Sequence, residues 1–206
     1  RGAANPVKPD CMEIFWNTIA RYNAATWPWQ IAIVAAAAVL TVLLSPRPTQ
    51  NVKRAMKLFL AGLNAWIAVV YYLVWCGQRS HSDVLALFWG IMAVIWLYDL
   101  YADFTRFERT SRPNGFALLL YLMPLAYPLF SLARGLSFPM MTMPVMPCSV
   151  AVFTIGLMLA FTHRINIFLV LFLCHWALIG LSKVYFFGIP EDYLLACSIV
   201  PVSYTH

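Results

Sequence analysis

Four methionines and a cysteine crowd the stretch FPMMTMPVMPC: Met140, Met141, Met143, Met146 and Cys148, broken by Pro139, Pro144 and Pro147. Thioether and thiolate sulfurs are soft donors suited to Cu(I), and methionine binds that ion without losing a proton. A second reading is that methionine fills irregular gaps, so the stretch packs as an apolar loop. A third is a disulfide from Cys148 to Cys76 or Cys197 in an oxidising compartment. His163 is no partner for this group, because fifteen residues of helix separate it from Cys148, about 22 Å at the standard rise.

Two carboxylates form the next candidate. Trp89, Met92, Trp96, Asp99 and Asp103 recur three and four residues apart and so share one helix face. A carboxylate on an apolar helix costs a few kcal/mol unless it faces protein or water, which turns this stripe inward. Asp99 and Asp103 then serve either as the end of a proton or cation path or as rim residues paired with Lys57 or Arg106. The third candidate is His175, between Cys174 and Trp176 in the middle of an apolar run. Imidazole is the usual axial ligand of haem and of chlorophyll-type pigments. The alternative is a hydrogen bond to Tyr71, Tyr72 or Asn64 on a neighbouring helix.

The elements that must position these groups are membrane helices. Of 206 residues, 62% are hydrophobic and 11% charged, outside the range of soluble domains. Charge-poor runs predict six spans, at about 29–45, 58–76, 84–104, 115–133, 147–162 and 165–182. The short apolar segment 193–203 would cover only part of a bilayer. Before the first span, Ile14, Phe15, Ile19 and Tyr22 recur at helical spacing against Asn17, Thr18 and Arg21, which predicts an interfacial helix from Met12 that ends at Pro28. Trp27 and Trp29 flank that proline as headgroup anchors. Residues 1–11 are read as a tail or processing remnant, and residues 12–206 as one transmembrane domain.

The connections after the first, third and fifth spans carry eight basic residues, and the others carry Arg79, Arg134 and Lys183. The positive-inside rule therefore places the N-terminus and the Met-rich loop outside. It also accounts for the net charge of +6, so nucleic acid is not an expected partner. There is no Gly-x-Ser-x-Gly elbow, no His-Glu-x-x-His and no Cys-x-x-Cys. Gly90, Gly156 and Gly180 are read as close contacts between helices.

Several stretches carry a family resemblance. ARYNAATWPWQ has the pair Tyr22-Asn23, then Trp27-Pro28 and Gln30. NGFALLLYLMPLAYP, MPCSVAVFTIGLMLAF and HWALIGLSKVYFFGIPEDYLL follow in order. Together they resemble DUF6064, a family of bacterial membrane proteins without an assigned function, over about Met12 to Leu195. Three departures stand out: Ser149 in place of a proline, Tyr72 in place of a histidine, and the added methionines before Pro147. The resemblance implies six or seven helices and no particular chemistry. Aromatic rings on several faces of so small a bundle leave more apolar surface than six helices can bury among themselves. The expectation is therefore a non-catalytic accessory subunit of a larger membrane complex; the alternative is a small transporter or chaperone for a soft cation such as copper.

Overall fold

The computed structural model describes residues 11–45, 48–77, 81–108 and 115–187. Residues 1–10 of the tail expected at 1–11, the apolar segment 193–203, Cys197 and the basic residues Arg79, Arg109 and Arg112 lie outside them, whereas Cys11 begins a helix. Within the described residues the fold is all-helical. It consists of α1 (Cys11–Leu44), α2 (Gln50–Trp66), a π-helical continuation (Ile67–Trp75), α3 (Ser82–Ala102), α4 (Gly115–Ala133), α5 (Pro147–Phe161) and α6 (Ile167–Phe187). Two short strands, β1 (Arg106–Phe107) and β2 (Thr162–Arg164), pair antiparallel.

α1 corrects the expected break between an interfacial helix and a first span. It runs 34 residues through Pro28, about 51 Å at 1.5 Å per residue. Proline removes one backbone donor, but the buried face Phe15, Ile19, Tyr22, Asn23, Thr26 and Gln30 continues at helical spacing across it. Packing on both sides of the proline holds the two halves in one helix.

Among the described residues, four helices are long and apolar enough to cross a membrane: Met12–Leu44, Gln50–Trp75, Ser82–Ala102 and Gly115–Ala133. The other two expected spans are shorter, α5 at 15 residues and the apolar part of α6 at Ile167–Gly180. α5 is buried without interruption from Ser149 to Met158, so it is wrapped by its neighbours on every face. Its closest neighbour is α4. A Cβ placed on Gly156 would lie 2.8 Å from the Leu120 carbonyl carbon and 2.8 Å from Tyr121 Cα. Gly156 is thus the close contact the sequence suggests, whereas nothing lies within 4 Å of a Cβ on Gly90.

α2 starts earlier than its apolar run. Thr49 caps it by accepting from the Val52 amide at 3.4 Å, and this draws Lys53, Arg54 and Lys57 onto the helix. In the π-helical continuation, the wider turn brings the consecutive Tyr71 and Tyr72 both inward, 3% and 2% exposed. Their rings meet edge to face, 5.0 Å apart.

Candidate functional site

The end of the bundle carrying β1 and β2 is clipped together by charge. α3 ends at Asp103, whose φ of 50° lies in the left-handed region that aspartate tolerates better than most residues. That reversal aims the Thr105 amide back at Asp99, where it donates to both carboxylate oxygens at 3.1 and 3.2 Å. Lys57 reaches across from α2. Its Nζ lies 3.0 Å from Asp99 Oδ2 and 2.7 Å from Asp103 Oδ1, and it donates to the Asp99 carbonyl at 3.0 Å. The Lys57 and Asp99 side chains are 3% and 0% exposed, so this is a buried ion pair whose polar atoms are satisfied on both sides.

The Thr105 hydroxyl accepts from the Asn166 amide at 3.2 Å, and Asn166 Oδ1 caps α6 by accepting from the Phe168 amide at 3.0 Å. Pairing of β1 with β2 matches Arg106 to Arg164 and Phe107 to Thr162, and the Glu108 amide donates to the Phe161 carbonyl at 2.7 Å. The Phe107 ring stacks on Trp96 at 6.4 Å. The segment after α3 is thereby tied to the segment after α5. Arg106 lies farther out, 3.7 Å from Asp103 with both side chains about half exposed. The inward stripe is present as the spacing predicts, with Trp89, Met92, Trp96 and Asp99 buried. On the same face beyond Asp99, the two indoles and the Met92 side chain are buried.

The opposite end holds the Met-rich loop, and α1 holds the loop. Tyr22 donates its hydroxyl to the Val145 carbonyl at 2.6 Å and accepts from Trp66 Nε1 at 3.1 Å. Asn23 Nδ2 donates to two loop carbonyls, Pro139 at 2.9 Å and Met141 at 2.8 Å. Gln30 donates to Thr26 Oγ1 at 3.0 Å and to Asn23 Oδ1 at 3.3 Å, orienting the amide that grips the loop. From α4, Ser131 shares a hydrogen bond with the Thr142 hydroxyl and accepts from the Thr142 amide at 3.0 Å. The Phe138–Pro139 peptide is cis.

The five sulfur residues differ in their surroundings. Met141 and Met146 are buried, Met140 is exposed, and Met143 and Cys148 are half-buried. Met146 Sδ accepts from the Met143 amide at 3.2 Å, and the Met143 carbonyl accepts from Ser149 at 3.0 Å. Cys76 is buried at the end of the π-helical segment, and no disulfide joins it to Cys148. His163 belongs to β2, at the clipped end, as helix length requires.

The three residues expected as hydrogen-bond partners for His175 do not meet it. Trp176, its neighbour in sequence, takes the inward position at 0% exposure and packs edge to face on Trp89 at 5.1 Å and on Tyr72 at 6.4 Å. His175 is turned to the outer surface between α3 and α6, its ring 5.6 Å from Phe88.

Apolar helices of membrane-crossing length, an ion-pair clip at one end and a gripped loop at the other define the class: an all-helical protein compatible with a membrane. The family model "Family of unknown function (DUF6064)" matches residues 12–205, and the chain belongs to that family. No curated protein and no solved structure matches it. The Tyr22-Asn23 and Gln30 that carry the resemblance in α1 are the residues that grip the loop leading to Pro147-Cys148. Spacing alone missed this group, although an Asn and a Gln seven residues apart on the face of Ile19 and Tyr22 are a legible sign of buried polar contacts.

Proposed function

We propose that this protein is an integral protein of the bacterial inner membrane, with six spans and with its N-terminus and Met-rich loop outside. In that membrane it acts as a non-catalytic accessory subunit that packs against other membrane proteins. The observation that carries this reading is the uncovered face of α1. Only 11% of its most apolar window is buried within the protein, against 44% for α2 and its continuation. Val39 and Val42 stand 58% and 69% exposed there, beside the exposed small residues Ala32, Ala35 and Ala36. Small side chains let a second helix approach closely, which is how helices associate where lipid removes the hydrophobic drive.

The groups that could do chemistry support the same reading, because they are used in holding the structure: Lys57 and Asp99 lock the clip, and Asn23 and Tyr22 lock the loop. The test is extraction in a mild detergent from the native membrane. The expected result is co-elution with defined membrane proteins, reduced by Ala36→Trp while the variant itself stays folded. A well-behaved monomer eluting alone refutes the reading.

A further inference from the structure

We infer that the groove between α3 and α6 is a binding site for a metallated tetrapyrrole, with His175 as its axial ligand. The inference rests on the membrane placement above and not on the subunit role. His175 lies eight residues into α6, about 12 Å along the helix, and Ile91 lies nine residues into α3 from the opposite end, so the groove sits near the middle of the bundle. Its walls are Leu87, Phe88 and Ile91 of α3 and Leu171 and Phe172 of α6, with His175 as the polar member. The groove is open along one side and offers about 410 Å³ over an apolar lining with a single polar group.

Three observations select the occupant. Among the described residues His175 makes a ring contact with Phe88 and no hydrogen bond, so in hydrocarbon its ring nitrogens have no counterpart within the fold. A metal at the centre of a macrocycle supplies one, by accepting the lone pair of a neutral imidazole in a dative bond that needs no proton or electron transfer. The Phe88 and Phe172 rings, 4.7 Å apart, offer aromatic surface to a flat apolar ring system. The groove's volume of about 410 Å³ is also more than one side chain of a partner helix would fill. Trp176 behind it, 5.7 Å from Phe88 and 0% exposed, fixes the orientation of α6 and keeps the imidazole pointing outward.

The purified full chain in detergent is titrated with hemin and, separately, with zinc protoporphyrin as a stand-in for a magnesium centre. The expected result is a saturable shift of the main absorption band at one tetrapyrrole per chain for at least one of the two. His175→Gly weakens that binding by about tenfold or more, and millimolar imidazole restores the band by replacing the missing ligand. Ile91→Trp, which keeps the histidine but fills the groove, also weakens it. Binding that His175→Gly leaves unchanged, or that imidazole fails to restore, overturns the site; so does a wild-type chain that binds neither compound. Recovery of the chain in the membrane fraction checks the membrane placement separately.

Discussion

Replacing Gly156 with alanine tests the tightest contact in the fold. The new Cβ would sit 2.8 Å from the Leu120 carbonyl carbon and from Tyr121 Cα, and closer still to the Tyr121 amide nitrogen. All of these are backbone atoms of α4, so no side chain can rotate away. Ordinary contact begins near 3.4 Å, and relief requires α4 and α5 to part by more than half an ångström. α5 is buried over ten successive residues, so that movement loosens packing along the centre of the bundle. Overpacking of this kind costs about 1–3 kcal/mol. For a protein of this size that corresponds to a drop of roughly 2–12 °C in Tm. Gly62→Ala is the matched control, since nothing lies within 4 Å of its Cβ. It should be neutral or slightly stabilising, because alanine is favoured over glycine in helices by about 1 kcal/mol. The assay is loss of the monodisperse peak on heating in detergent, followed by size-exclusion chromatography. A Gly156→Ala protein that melts with the wild type would refute the contact and the reasoning from it.

Other outcomes follow from the same geometry. Lys57→Met leaves the Asp99 carboxylate buried without its cation and should cost about 3–5 kcal/mol, while Lys57→Met with Asp99→Leu should recover most of the loss. Thermal melts of the single and double variants measure this. Asn23→Leu strips the donor from the Pro139 and Met141 carbonyls and should cost about 1–3 kcal/mol, read also as faster proteolysis between Phe138 and Met146. In a background with the five native cysteines changed to serine, a membrane-impermeant thiol reagent applied to intact cells should label Met140→Cys and leave Arg164→Cys unlabelled; the reverse pattern would invert the proposed orientation. Changing Met140, Met141, Met143 and Met146 to leucine should leave copper content unchanged, and a fall in copper would favour the soft-cation alternative.

Much of the fold is legible in the residues alone. Long charge-poor runs announce long apolar helices because the length of an apolar run is a local property. The Trp89-to-Asp99 stripe can be placed inward because a carboxylate is expensive on a lipid-facing surface, and Lys57 is a cation within reach of it. The grip of α1 on the loop is not legible in this way, since Asn23 and the carbonyls of Pro139 and Met141 are more than a hundred positions apart. Nor is the continuity of α1 through Pro28, which reflects packing on both of its halves rather than the cost of one missing donor.

His175 marks the boundary most clearly. From Ile167 to Gly180, α6 is apolar on every side but for His175, so its sequence contains little preference for which side faces the bundle. By residue type, Cys174, His175 and Trp176 are three candidates for the interior. Packing chooses among them: Trp89 and Tyr72 present an aromatic surface that accepts the indole of Trp176, and one helical step of about 100° then carries the imidazole of His175 outward. Residue order is enough to put a histidine in the middle of an apolar helix. Its facing away from every partner the described chain could offer is the work of the neighbouring helices, because rotation about a uniformly apolar axis is set by contact and not by composition.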